Sequence, residues 1–329
     1  MRFGWVGAGS GNPMRAVFSD LRGTPFAASD RILGQLAPVA GMVRVGLLLL
    51  GAIPVLGSQP LLAGAADPAA IAVKPDTLAA FDGYVKLTEA RNAAELQQGT
   101  NLLWIDGLKD SERAEAYAAV KRGEVKMTRL ETRENGQRIR CPGGMIHHWA
   151  GVAFIPGARL QDVLRVLQDY DHHSQYYAPD VEQSKIESRD GDHFRVFLRF
   201  RRHKVITVVL NTEHDVRYFR DSETREHSRS SAVHIAEVEN PGKPNEREKP
   251  PGEDGGFLWR METWWRLEER DGGVYVQSEV VSLTRDIPAG LGWLIGPFVT
   301  SIPKETLTFT LDATRKAVSS AGSTASAPK

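Results

Sequence analysis

Apolar residues recur along this chain with two periods, and the order in which they alternate predicts an architecture. A strand-like run, His148–Ile155, precedes a helix, Ala158–Tyr170. In that helix Leu160, Val163, Leu164, Leu167 and Tyr170 form one face and Arg159, Asp162, Arg165 and Asp169 the other. Strand-like runs then follow in series. Val181–Ser188 and His193–Phe200 flank the turn Arg189-Asp190-Gly191-Asp192. Val205–Asn211 and Arg229–Glu239 come next, then Phe257–Leu267 and Val274–Thr284 around Asp271-Gly272-Gly273. Phe194, Val196, Leu198 and Phe200 alternate with Arg195 and Arg199, so one face of that run is buried. A closing helix is predicted over Ser301–Val318. The order predicts an α+β helix-grip fold, in which a curved antiparallel β-sheet wraps a long C-terminal α-helix and encloses a pocket.

Two helical segments precede the sheet. Lys74-Pro75-Asp76 opens one, with Leu78, Phe81 and Val85 at helical spacing and Asp76 as the expected cap. The other spans Ser111–Arg122, with Ser111 as N-cap and Gly123 as the stop. Their apolar stripes are thin, so residues 67–123 are expected to form a helical appendage outside the sheet of a main domain over 124–320. Asn240–Gly256, rich in Pro, Gly and charge, is predicted to be a surface loop, and 321–329 a disordered tail.

The N-terminal region reads as an address. Arg44 precedes the apolar stretch Gly46–Gly57, and Ala63-Gly64-Ala65-Ala66 supplies small residues for cleavage, so 42–66 is expected to be a signal peptide. The apolar core is shorter than a spanning helix needs, and Pro54 interrupts it. Residues 1–41 are a weakly patterned leader, with translation from Met42 as one explanation. The expected location is outside the cytoplasm, in the periplasm.

Composition narrows the chemistry. Forty-one basic and 41 acidic residues cancel, leaving no electrostatic footprint for nucleic acid. A single cysteine, Cys141, excludes an intrachain disulfide and a multi-cysteine zinc site. His147-His148 and His172-His173 are not read as a metal site, because neighbours in a strand point to opposite faces. No nucleophile elbow, phosphate loop or dinucleotide fingerprint is present, so no cofactor is expected. The densest basic cluster, Arg199, Arg201, Arg202, His203 and Lys204, reads either as a solvated hairpin tip or as a transient contact with anionic lipid headgroups.

The order of strand, two helices, about six strands and a long helix resembles the START-like superfamily, which includes lipid-transfer and polyketide cyclase/dehydrase-related (SRPBCC) proteins. The matching segments are His148-Trp149-Ala150-Gly151 to Phe154-Ile155-Pro156, Leu160–Tyr170, Tyr177-Ala178-Pro179-Asp180-Val181, and Ser282–Pro288 before the last helix. The resemblance covers roughly residues 124–320. It implies a hydrophobic cavity between sheet and C-terminal helix, without naming a ligand.

Strand phase selects the candidate ligand-binding residues. Trp259, Met261, Thr263, Trp265 and Leu267 are expected to face inward, with Arg260, Glu262, Trp264 and Arg266 outward. Continuing the count from Ile206, Val208 and Leu210 places Thr212, His214 and Val216 inward unless a bulge intervenes. His214 is the candidate acid/base residue. Ile287–Val299, apolar but rich in Gly and Pro, reads either as a buried connection or as a hinged lip carrying Trp293 and Phe298, and neither as a regular strand nor as a long helix. The leading reading is binding or transport of a hydrophobic small molecule such as a lipid, quinone or polyketide-like compound. An enzyme of the cyclase/aromatase or hydrolase kind using the same cavity, and a structural interaction protein, are the alternatives.

Overall fold

The computed structural model describes residues 72–99, 101–203, 207–286 and 292–325, with 292–300 and 322–325 described by backbone alone. The expected leader and signal segment lie outside these residues, as do positions 287–291 of the expected lip.

Two helices come first. α1 (Pro75–Gln98) opens on a proline, whose missing N–H is no loss in a first turn, and stops at Gly99, whose φ of 65° suits glycine. Lys74 rather than Asp76 is its N-cap. Asp76 sits in the first turn, where its charge opposes the helix dipole. α2 (Asp110–Lys121) starts ahead of Ser111, which therefore lies inside the helix between Asp110 and Glu112. The remaining elements are β1 (Lys126–Arg129), a small hairpin of β2 (Arg133–Glu134) and β3 (Gln137–Arg138), β4 (Gly144–Pro156), α3 (Leu160–Gln168), α4 (His173–Tyr176), β5 (Val181–Asp190), β6 (His193–His203), β7 (Thr207–Arg220), β8 (Arg225–Glu239), β9 (Arg247–Glu248), β10 (Arg260–Arg270), β11 (Gly273–Arg285) and α5 (Gly292–Ala325).

The main sheet is antiparallel and curved, in the order β1-β4-β11-β10-β8-β7-β6-β5, with β9 against β8. Asp271 and Gly272, at φ 57° and 76°, make the tight turn that registers β10 on β11. Several boundaries differ from the sequence expectation: β4 starts at Gly144 rather than His148, β8 at Arg225 rather than Arg229, and β10 runs from Arg260 to Arg270 rather than from Phe257 to Leu267. β7 continues past Asn211 to Arg220. α5 begins at Gly292 instead of Ser301 and runs beyond Ser320 to Ala325. Local glycine and proline content is a weak guide where a helix packs along a sheet, because tertiary burial outweighs propensity.

Strand alternation divides the sheet into two faces. On the concave face Ile155, Phe194, Val196, Val216, Leu267, Val274 and Val276 pack with Leu160, Val163, Leu164 and Leu167 of α3 and with Leu307, Leu311 and Val318 of α5. Gly151 lets α5 approach β4 closely. A Cβ there would stand 2.4 Å from Met127 Sδ and 2.6 Å from Leu311 Cδ1. On the convex face Phe81, Tyr84 and Val85 of α1 pack on Trp264, Val281 and Leu283, while Ala116 and Val120 of α2 pack with Val152, Phe154 and Tyr275. Trp264 and Arg266 do point away from α5, but α1 and the segment after it cover them, leaving 6% and 5% exposed.

Candidate functional site

The concave face changes character along its length. Beneath α3 it is closed: Phe194, Val196, Val216, Leu267 and Val274 are all buried. Toward the other end Trp149, Leu198, Met261, Thr263, Trp265 and Val280 keep partial solvent access although they share the face that α5 covers. Cross-strand register brings them together, with Thr263 opposite Val280 and Ser230, and Val280 opposite Trp149.

His214 sits in this face, 4% exposed. The bulge that could have reversed its phase falls at Val233 of the partner strand, since Glu213 pairs with His234 and His214 with Ala232. Thr212 donates its hydroxyl to the Leu198 carbonyl at 3.0 Å, so at 2.9 Å from the ring it accepts from His214 Nε2–H. Nδ1 is then the acceptor for the Ser230 hydroxyl at 3.3 Å. Burial lowers the His214 pKa to about 4, which keeps the ring neutral at pH 7. Among the described residues no carboxylate bonds to it. The arrangement is a neutral, hydroxyl-bracketed imidazole, and the second group that acid/base chemistry needs is not beside it.

Two further hydroxyls on this face are unusual. Ser228 and Ser278 flank Trp265 in register on the neighbouring strands, at 2% and 1% exposed, and neither Oγ has a hydrogen-bond partner among the described residues. Leaving a buried hydroxyl unsatisfied costs on the order of 1–3 kcal/mol. His147 completes the polar set at the edge, with Nε2 3.0 Å from Thr284 Oγ1. Burial, helped by the Arg129 charge, lowers its pKa to about 4.

The other expected site residues separate. Met261, Thr263 and Trp265 line the concave face. Trp259 does not join them: it packs with Phe81, Tyr84 and Trp264 beneath α1, and its indole N–H donates to Asp254 at 2.9 Å. It precedes β10, so strand alternation counted back from Leu267 does not govern it. Trp293 and Phe298 fall in the part of α5 described by backbone alone. Two features went unread in the sequence. The serines at 228 and 278 carry no motif, and only register reveals that they bracket a tryptophan.

The convex face holds a different polar cluster. His148 Nδ1 accepts from Tyr84 Oη at 2.8 Å, and its Nε2–H donates to Glu279 at 2.8 Å. Arg91 also bonds Glu279. Arg266 reaches Asn92 at 2.6 Å, Glu95 at 2.7 Å and the Leu102 carbonyl at 3.0 Å, and Gln277 accepts from Trp104 N–H at 2.6 Å. Burial pushes the His148 pKa down. Glu279, though burial alone would raise its pKa, is held below the usual carboxylate range by His148 and Arg91. These groups tie α1 to the sheet. His147 and His148 thus point to opposite faces, as strand geometry requires.

A cleft of about 510 Å³ opens beside α1, between Phe81, Val85 and Glu89 and the strand residues Arg229, Val233 and Glu262. It lies on the face away from α5. Arg229 in its lining already pairs with Glu89 at 2.5 Å and with Glu262 at 3.4 Å, and the concave face remains the stronger candidate. The basic cluster of β6 is also matched: Arg199 pairs with Glu182 and Glu246, Arg201 with Glu182, and Arg202 with Asp180. Each of these three arginines therefore has a carboxylate partner rather than water alone.

No family model matches the chain, and no curated protein matches it. Solved structures similar to it are START-related and aromatase/cyclase proteins. A STAR-related lipid transfer protein fragment from Xanthomonas axonopodis is 19% identical over 59% of this chain and 98% of its own, with a TM-score of 0.39. The Zhui aromatase/cyclase from Streptomyces sp. R1128 is 13% identical over 56% of this chain and all of its own, with a TM-score of 0.37. A START superfamily protein from Mycobacterium smegmatis is 12% identical over 54% of this chain and 98% of its own, with a TM-score of 0.33.

Proposed function

We propose that the protein binds or carries a hydrophobic small molecule between the concave face and α5, and that the ligand bears uncharged oxygen functions. In this reading residues 124–320 form a helix-grip domain closed on α5, with 67–123 as its appendage. The observation that carries it is the pair of unpartnered hydroxyls, Ser228 and Ser278, on either side of Trp265. A ligand oxygen that took either hydroxyl would remove a penalty the empty protein bears. The half-buried Trp149, Met261, Trp265 and Val280 supply apolar wall, at roughly 25 cal/mol per Å² of ligand surface covered before ordering costs. Neutral His147 and His214 add no charge to this face, although both ring nitrogens of His214 are already taken by Thr212 and Ser230, and an uncharged lining favours a neutral ligand over an ionised one.

The test is organic extraction of protein purified from its native cell, followed by mass spectrometry. A hydrophobic compound carrying hydroxyl or carbonyl oxygen is the expected result, and its recovery should fall sharply in Trp265→Ala. Protein that is always empty, with wild type and Trp265→Ala alike failing to retain any hydrophobic probe, sinks the reading. We also propose export, on the order of Arg44, apolar core and Ala63-Gly64-Ala65. N-terminal sequencing of the native protein should begin at Ala66 or Asp67, and an intact 42–66 segment on cytoplasmic protein overturns export.

A further inference from the structure

The buried histidine of the concave face stands in a chain of hydroxyls with a fixed direction. Thr212 donates to the Leu198 carbonyl at 3.0 Å and accepts from His214 Nε2–H at 2.9 Å. On the other side of the ring Nδ1 accepts from the Ser230 hydroxyl at 3.3 Å. We propose that Ser230 is a nucleophile with His214 as its base, and that the protein cleaves uncharged hydrophobic esters held on the concave face. The reaction presupposes the ligand site proposed above and adds chemistry to it.

With no carboxylate beside it, His214 is not half of an acid/base pair. A hydroxyl nucleophile asks for something else: a neighbouring base in one fixed tautomer, and donors for the oxygen that turns negative. The Leu198 carbonyl commits the Thr212 proton, so the Thr212 oxygen accepts from Nε2–H and the free lone pair of the ring lies on Nδ1, toward Ser230. Burial keeps the ring neutral at pH 7, which leaves that lone pair available. A base with a pKa of about 4 is weak, and the expected reaction is slow. The donors surround Ser230. Thr263 stands directly opposite it on β10, half-buried, and its hydroxyl makes no hydrogen bond among the described residues. Cβ atoms of such opposed residues are about 5 Å apart, close enough for both side chains to reach one carbonyl group. Ser228, two positions along β8 on the same face, carries one of the two unpartnered hydroxyls. Ser228 and Ser278 are donors without a base, whereas Ser230 has one.

The steps balance with water as the co-reactant. As Ser230 Oγ bonds to the ester carbonyl carbon, its proton passes to His214 Nδ1 and the carbonyl π pair moves onto the oxygen, where Thr263 and Ser228 donate. Collapse of that oxyanion breaks the bond to the leaving oxygen, which takes the proton from Nδ1 and departs as the alcohol. Water then attacks the acyl-serine and gives a proton to Nδ1. The carboxylic acid leaves as Ser230 Oγ recovers that proton. The wall sets the substrate class. Trp149, Met261, Trp265 and Val280 offer apolar contact, and the register neighbours of Ser230, Val216 and Thr263, are uncharged.

The full chain would be treated with a hexyl fluorophosphonate, which loses fluoride to an activated serine, and the adduct mapped by mass spectrometry. The expected adduct is on Ser230. It should be lost in Ser230→Ala and form roughly a hundredfold more slowly in His214→Gln. Slow hydrolysis of 2-naphthyl hexanoate should follow the same order. Thr212 acts through the histidine, so Thr212→Val should slow labelling and Thr212→Ser restore it, with affinity for 2-naphthyl hexyl ether unchanged in both. That ether cannot be cleaved and reports binding alone, so Ser230→Ala should bind it like wild type. Ether binding with no adduct on Ser230 of wild type, or with the adduct on Ser228 or Ser278 instead, overturns the nucleophile and leaves the ligand site standing. Ester hydrolysis within twofold of wild type in Ser230→Ala overturns it as well. Failure to bind the ether overturns the ligand site and the reaction together. The adduct map on wild type decides the matter even where a variant does not fold.

Discussion

The two faces of the main sheet bury polar groups in opposite ways. On the convex face Glu279, 2% exposed, accepts from His148 and Arg91, and Arg266, 5% exposed, is bonded to Asn92, Glu95 and a backbone carbonyl. The buried charges there have partners, and those partners come from α1 and the segment after it. On the concave face the deepest polar groups are uncharged hydroxyls, and Ser228 and Ser278 have no hydrogen-bond partner among the described residues. A paired charge network fixes an element in place, because removing either partner strands the other. An unpaired hydroxyl fixes nothing and leaves capacity for a visitor. The difference separates a clamp from the proposed binding surface on one set of strands.

The largest expected effect breaks the clamp. Glu279→Ala leaves the His148 Nε2–H without an acceptor and opens a void beneath α1, at a cost of about 3–5 kcal/mol. Urea unfolding at pH 7 checks it, and a loss under 1 kcal/mol would show that α1 is held by its apolar contacts alone. Acidification should come next in size. The folded pKa of His214 lies near 4, below its unfolded value of about 6.5. A depressed folded pKa contributes stability that is present above pH 6.5 and lost as pH falls toward 4. Between pH 7 and pH 5 this one group should account for roughly 2 kcal/mol of the decline. His214→Gln, compared with wild type at both pH values, should remove that share of the fall. An unchanged pH dependence would mean that His214 is not neutral and buried. His147 and His173, with pKa values also lowered to about 4, should keep the remaining acid sensitivity in the variant.

The smallest effect has the opposite sign. Ser228→Ala and Ser278→Ala each remove an unsatisfied buried hydroxyl, so each should stabilise the ligand-free protein by up to about 1 kcal/mol. The same changes should weaken retention of an oxygen-bearing ligand. Gln277→Ala, one strand position from Ser278 but facing α1, should instead destabilise, because it strands the Trp104 N–H. Thermal melts of the three variants side by side test the contrast. Destabilisation by both serine changes would show that the hydroxyls are already satisfied in solution.

Much of this was legible as pattern. Alternation in His193–Phe200, the Asp271-Gly272 turn and the apolar stripe of Ala158–Tyr170 each report a period imposed by local backbone geometry, and a period survives in the sequence. The same count put His214 on the concave face, and it held because the bulge lies on β8 and not on β7. It failed for Trp259, which stands outside the strand where counting is valid. The caps expected at Asp76 and Ser111 lie two residues earlier, at Lys74 and Lys109, since helix ends fray and several polar residues compete for them.

Charge was least legible. The run Arg199–Lys204 looked like the exposed basic patch, yet Asp180, Glu182 and Glu246, from an adjacent turn, an edge strand and a distant loop, pair with its arginines. The sequence by itself determined the long strands and α3, their order and which of their positions share a face, because these follow from interactions between near neighbours. Tertiary structure alone decided which polar groups are paired, because a partner is set by strand register and by the docking of α1. Those two facts separate Glu279 from Ser278, adjacent residues that one strand turns to opposite faces.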